Sequence, residues 1–320
     1  MQTGNIGIAG EFRCVVTKED GTIKADTGYQ KNLILNQGLD FFGGGKGTSI
    51  NVSCAIGSGN SAPAITQTGL DAFIAIASST GITSSSAYTN TGDNLYRTWQ
   101  QRIYRFTGLN NVNISEVGLV STGTTSTNYY LTTRALIKDS SGSPTSISVK
   151  TGETLDVYYK IHKVIDTTDK SFAVNVLDGN GSDVPYNIIA RPVNIGGGAQ
   201  GFLASSHVHM STYAEYGGTT VSSGELTNNT SVYPSGQLSP MNKAVQEFSY
   251  VIGSYKKSFS LNLTLNEGSG NIRTMTIPAS MAAFQLRFGS LLNNSPIVKT
   301  SNDTLGIPFE ISWGRYEGVL

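Results

Sequence analysis

Charge is scarce in this chain. Only 14% of its 320 residues are Asp, Glu, Lys or Arg, against about 25% in ordinary globular proteins. The 22 basic and 22 acidic residues cancel. That balance argues against a nucleic-acid binder, which normally shows a basic face. It also removes the self-repulsion that keeps soluble monomers apart. Cysteine is nearly missing too. The two, Cys14 and Cys54, make no disulfide framework, and each sits in an apolar run, so both are expected as buried free thiols. No run approaches the roughly 18 apolar residues of a membrane helix. Residues 1–10 lack a basic start followed by an apolar block, so no signal peptide is expected. The expectation is a protein made in a cytoplasm that does not leave by the secretory route.

Helix-period patterns are almost absent as well. Period-2 runs rich in Val, Ile, Thr and Tyr recur instead, bounded by Gly, Asn, Asp and Ser. FRCVVT (12–17), a turn at Gly21 and TIKA (22–25) predict a hairpin. LTTRALI (131–137), TSISV (145–149), TLDVYYKIHKV (154–164), FSLNLTL (259–265), NIRTMTI (271–277) and FQLRF (284–288) predict further strands. Short helical pieces are expected at 36–42 and around 70–77. A 38% hydrophobic fraction over this length supports a sizeable core. The fold class read from this is all-β and sandwich-like.

The chain also echoes itself. PTSISVKTGETLDVYYKIHKV (144–164) and PIVKTSNDTLGIPFEISWGR (296–315) share a proline, an apolar strand end, Val-Lys-Thr, a polar turn, Thr-Leu and an alternating strand. Leu155, Val157, Tyr159 and Ile161 match Leu305, Ile307, Phe309 and Ile311, the positions that share one strand face. Upstream, NISEVGL (113–119) parallels NIRTMTI (271–277). These matches predict two tandem β-sandwich domains, jelly-roll or Ig-like. Residues 1–10 would be a flexible arm, 11–165 the first domain and 166–320 the second. A long Gly/Ser/Thr-rich loop insertion is expected at about 178–245. Loops of that length in a compact domain usually carry function or meet a partner. Tyr316–Leu320 ends apolar and is a second candidate arm.

Chemistry is harder to find. CAIGSGNSAP (54–63) has an apolar run before Gly57 and Gly59, as phosphate loops do. A dinucleotide fingerprint needs a third glycine at 62, which is Ala, and Pro63 follows at once. The stretch therefore reads as a turn, with Thr68 capping a short helix after it. No Gly-x-Ser-x-Gly or His-Glu-x-x-His is present, and no catalytic residue or cofactor is assigned. His207 and His209 put two imidazoles on one face of an extended segment. Two ligands are too few for a closed site, but three copies about a threefold axis would supply six nitrogens. His162 is expected exposed or at an edge, and Trp99 and Trp313 in the core. Tyr129, Tyr130, Tyr213, Tyr216 and Tyr233 stand in polar stretches, where tyrosine favours contact with partners. Tyr213, Tyr216 and Tyr233 are the candidate partner-contact residues.

KNLILNQGLDFFGGG (31–45), AIGSGNSAPAITQTGLDAFIA (55–75), ISEVGLVS (114–121) and LTTRALIKDSSGSPTSISVKTGETLDVYYKI (131–161) together resemble a broad group of tailed-bacteriophage virion proteins. NDTLGIPFEISWGRYE (302–317) resembles a strand ending found in the same group. The resemblance implies a β-sandwich assembly module and brings no catalytic residues. It also gives a precedent for the His207/His209 pair, since such cages occur at the axis of phage fibres and spikes. The expected function is a non-enzymatic virion component, assembled in the host cytoplasm as a symmetric oligomer at the tail, neck or baseplate. Its expected partners are copies of itself and other virion proteins, with no nucleic acid and no membrane. The alternatives are a fibre module that binds a receptor or host-surface glycan, a head decoration protein, and a depolymerase.

Overall fold

The computed structural model describes residues 2–86, 89–90, 92–177, 182–193, 210, 218–228 and 234–320. The chain is almost all β. Among the described residues a single α-helix occurs, Asn36–Gly44, where the sequence predicts it. The helix expected around 70–77 is instead the start of the strand Phe73–Ser85. FIAIASST alternates with period two, and its β-branched isoleucines suit a pleated surface better than a helix.

The organising element is Gln2–Thr17. From Ile6 onward it pairs antiparallel with Thr154–Asp166, from Ile6↔Ile165 to Thr17↔Thr154. Its first half also pairs parallel with Leu305–Arg315, with Ile6 opposite Trp313. Ile6 and Ile8 are fully buried. Residues 2–10 are therefore no flexible arm. Isoleucines at alternate positions put one face of this stretch into the core, and both edges of the strand are hydrogen-bonded. From Thr154–Asp166 the sheet continues through Leu95–Phe106, Phe73–Ser85, Ser53–Gly57 and Glu116–Thr125 to Thr133–Leu136 and Leu33–Ile34. On the other side it passes from Leu305–Arg315 to Lys256–Leu263.

A second sheet orders Lys170–Leu177, Asp183–Val193, Ala283–Ser290, Thr274–Pro278 and Thr220–Ser222. Two of these strands fall inside the expected loop insertion. Asp183–Val193 pairs on both edges, so that part of 178–245 is scaffold rather than loop.

The internal echo is structural. Val112–Ile114 pairs with Ile147–Val149 through Ile114↔Ile147, and Gly270–Ile272 pairs with Ile297–Lys299 through Ile272↔Ile297. The next strand then pairs in the same register, Val117↔Ala135 in one half and Met275↔Leu286 in the other. Leu155, Val157, Tyr159 and Ile161 are buried, as are Ile307, Phe309 and Ile311. The register does shift one part of the sequence match. Ile147 corresponds to Ile297, so Val149 corresponds to Lys299 rather than Val298. Val298 is two-thirds exposed at 67%, and Lys299 is buried with its Nζ on the carbonyls of Thr264 and Thr300.

The halves share one core. A contiguous cluster of buried side chains runs from Ile6 to Trp313 and draws on both. The C-terminal strand is tied to the helix region: Trp313 Nε1 donates to the Leu39 carbonyl at 2.8 Å, and Arg315 reaches Asn36 Oδ1 at 2.6 Å. Beyond it, the Tyr316 amide donates to the Ile8 carbonyl, and Arg97 Nε donates to the Val319 carbonyl. The second expected arm is held against the sheet by these bonds.

Candidate interaction surfaces and a braced loop

The Gly57/Gly59 loop does hold an anion, and the anion is internal. Glu116 lies fully buried opposite Gly57. Its carboxylate accepts the backbone N–H groups of Gly59, Asp71 and Ala72 at 2.9, 3.2 and 2.9 Å. A Cβ at position 57 or 59 would overlap this carboxylate, so the two glycines are there for room. Arg134, also fully buried, bonds Glu116 through Nε at 2.9 Å and Asp71 through Nη2 at 2.7 Å. Its Nη1 reaches the Ser61 carbonyl and Gln67 Oε1. Charge-assisted bonds of this kind are about twice as strong as neutral ones. They fix residues 58–72, which contain no regular structure of their own. The Asp71 carboxyl is held below its usual range, first by hydrogen bonding from Ser61 and then by Arg134.

Tyr129 and Tyr130 serve the same loop region. The Tyr129 hydroxyl accepts the Leu70 amide at 2.7 Å, and the Tyr130 hydroxyl donates to the Gln37 carbonyl at 3.1 Å. Both are half-buried in the strand Asn128–Leu131, so neither projects as a free platform.

A different aromatic surface lies on the outer face of the main sheet. Register puts His162 opposite Trp99 and Ala9, Lys160 opposite Gln101 and Glu11, and Tyr158 opposite Ile103 and Arg13. Lys160 Nζ stands 3.9 Å from the Tyr29 ring centre and 4.9 Å from that of Trp99, within cation–π range. Arg13 lies over Tyr158 and forms an ion pair with Asp26. Trp99 is thus on the outside, half-buried, and not in the core as expected. Thr98 and Gln100 take the inward positions of that strand. Trp313 is in the core, stacked on Tyr250. His162 is neither exposed nor at an edge. It is 5% exposed, and its Nε2 lies 3.1 Å from Glu11 Oε2. That hydrogen bond is the main cause holding the Glu11 carboxyl below its usual range.

Lys163, on the inward side of the same strand, is fully buried between Ile8 and Thr98 in the ladder. Burial pushes its ammonium down to about 7. Cys14 and Cys54 are free, buried thiols, and desolvation raises Cys14 to about 12. A thiol in that state is a packing group rather than a nucleophile.

The second surface is a turn. Val251 and Ile252 are 69% and 82% exposed at its tip. Asp40, from the helix, accepts the Tyr250 hydroxyl at 2.6 Å and the Gly253 amide at 2.7 Å. The Ser254 amide closes the turn onto the Val251 carbonyl, and Gly253 supplies the positive φ of 80° that a type II turn demands. Nothing in the local sequence signals this bracing, because Asp40 lies 210 residues from Tyr250.

His207, His209, Tyr213, Tyr216 and Tyr233 lie outside the described residues. Among the described residues, no group of three or more His, Cys, Asp or Glu is placed to hold a metal ion, and no helix is long and apolar enough to cross a membrane. No family model, curated protein or solved structure matches the chain.

Proposed function

We propose that this chain is a non-enzymatic structural component of a tailed-phage virion, built from two related β-sandwich units and assembling as a symmetric oligomer at the tail, neck or baseplate. The observation that carries this reading is the use made of its polar chemistry. The charge cluster Glu116–Arg134–Asp71 braces a loop of the scaffold. Two of the exposed aliphatic side chains, Val251 and Ile252, stand on a turn braced by Asp40. A rigid surface bearing apolar side chains suits contact with another protein, because ordering costs are already met before association. Zero net charge removes long-range repulsion between copies. The resemblance of 31–45, 55–75, 114–121 and 131–161 to virion proteins supports a virion setting. Its partners in this reading are copies of itself and neighbouring virion proteins. The test is co-sedimentation of purified protein with tails and with tailless heads. Binding to tails supports the tail-side reading, and binding only to tailless heads replaces it with head decoration.

One observation favours a second reading, a glycan-binding fibre module. Tyr29, Trp99 and Tyr158 share the outer sheet face with hydrogen-bonding groups on Gln101, Lys160 and Glu11. Binding to a glycan array that is lost in Trp99→Ala would favour it over the first.

A further inference from the structure

The internal repeat reaches further back along the chain than the echo in sequence. Ala135 corresponds to Leu286, so Thr133 corresponds to Phe284. These two pair with Ile34 and Pro192. Three residues upstream, Lys31 pairs with Glu11 and Ile189 with Ser171. The strand Lys170–Leu177 is therefore the second half's copy of the first strand. FAVNV (172–176) stands where FRCVV (12–16) stands, and Phe172, Val174 and Val176 match Phe12, Cys14 and Val16. In the first half those three pair with Tyr159, Val157 and Leu155 and are fully buried. The corresponding partners in the second half are Phe309, Ile307 and Leu305, and they are not reached. Among the described residues, Lys170–Leu177 pairs only with Asp183–Val193, and the pairing of Leu305–Arg315 with the first strand stops at Gln2↔Glu310. A groove of about 360 Å³ separates the two edges, lined by Val174 and Val176 from one and by Leu305 and Ile307 from the other. Val174, Val176 and Leu305 are each only half-buried.

Pro308 accounts for the open seam. The Trp313 amide bonds to the Tyr255 carbonyl, and the register with Lys256–Leu263 holds without a shift from there to Leu305. Successive amides of a strand point to opposite neighbours. Those of odd-numbered residues thus face Lys256–Leu263, and those of even-numbered residues face the groove. Proline has no amide hydrogen. At 308 it removes a donor from the middle of the seam, where the first half has Tyr158 opposite Arg13. Both halves contribute the same strands here, so closing the groove calls for no added segment. We propose that the second half has a closed state, in which Lys170–Leu177 pairs with Leu305–Phe309 of its own chain in the register of the first half, and that Pro308 favours the open state. Closure brings Val174 and Val176 against Ile307 and Leu305 and takes their apolar surface out of water. The inference is independent of the assembly reading above.

The experiment is cross-linking in the closed register, with the full chain. Asn175 and Gly306 are both exposed and face each other in that register as Val15 and Asp156 do in the first half. A Cβ at 306 meets nothing closer than Asn262 Oδ1 at 3.5 Å. In a glutathione-disulfide buffer, Asn175→Cys/Gly306→Cys is expected to form a disulfide within one chain. The pair Ser171→Cys/Gly306→Cys lies four residues out of register, about 13 Å apart even when closed. It is expected to react at least about 10-fold more slowly, being beyond the span of a disulfide. Adding Pro308→Tyr to the in-register pair restores one donor and is expected to speed its cross-link about fivefold, the worth of one hydrogen bond. Pro308→Tyr alone supplies a second measurement, since amide exchange at Gly306 is expected to slow by about the same factor. Equal rates for the two cysteine pairs, or a disulfide only between chains, overturns the closed state. Unchanged exchange at Gly306 in Pro308→Tyr overturns it too, and that measurement decides the matter if the cysteine pairs do not fold.

Discussion

At the residue scale, three buried ionisable groups carry the sharpest consequences. Glu116 and Arg134 are both fully buried, and breaking a buried pair by removing one partner costs about 3–5 kcal/mol. Arg134→Met should therefore lower the urea midpoint strongly and release residues 58–72, seen as faster amide exchange at Gly59 and Ala72. Unchanged exchange at those amides would mean that the loop is held by something else. Lys163 gives a pH signature. In the unfolded chain its proton is held to about 10.5, and in the fold burial brings that down to about 7. Between those values the unfolded state binds more protons, so stability rises with pH. From pH 7 to 9 the wild type should gain about 2 kcal/mol over Lys163→Met. Parallel stability curves for the two proteins would show that Lys163 stays charged inside the fold.

At the scale of elements, the period-2 signal locates the hairpin at 12–25 and the strands around 131–137, 154–164, 259–265 and 284–288, because alternation directly reports which face is buried; the long strands Phe73–Ser85, Leu95–Phe106 and Asp183–Val193 are not among those it marks. It also gave the echo between 144–164 and 296–315, down to the four apolar positions that share a face. The failures have physical causes. The helix expected around 70–77 follows from the glycine loop before it, although FIAIASST from Phe73 onward alternates as a strand. Residues 1–10, expected as a flexible arm, contain GNIGIAG, whose alternating isoleucines are a strand signal. Glycine permits rather than prevents strand here: a Cβ at Gly4 would overlap Phe284, and one at Gly10 would overlap Asn32. Deleting residues 2–8 should consequently cost at least about 3–6 kcal/mol, the worth of burying Ile6 and Ile8. An unchanged thermal midpoint after that deletion would restore the arm. The braced turn was illegible in sequence, since its anchor Asp40 sits in a helix on the far side of the chain. Asp40→Ala should leave the fold intact and raise amide exchange at Gly253, while exchange at Ile307 in the core stays slow.

At the scale of the whole molecule, the two halves repeat one strand plan yet are not independent. The first strand lies between their long C-terminal strands, antiparallel to one and parallel to the other. Trp313 and Arg315 of the second half bond to residues 34–39 of the first. Cooperative unfolding in a single transition is expected from that interlock, with fluorescence and circular dichroism reporting the same midpoint. The candidate site was the least legible part, because contact surfaces are assembled from residues such as Asp40 and Tyr250, or Tyr29 and Lys160, that only the fold brings together. On the self-assembly reading, this charge-poor scaffold packs against copies of itself and its neighbours. Native mass spectrometry of the wild-type chain over a range of concentrations tests that most directly. The account predicts a defined oligomer with a single copy number; a monomer at every concentration would contradict it.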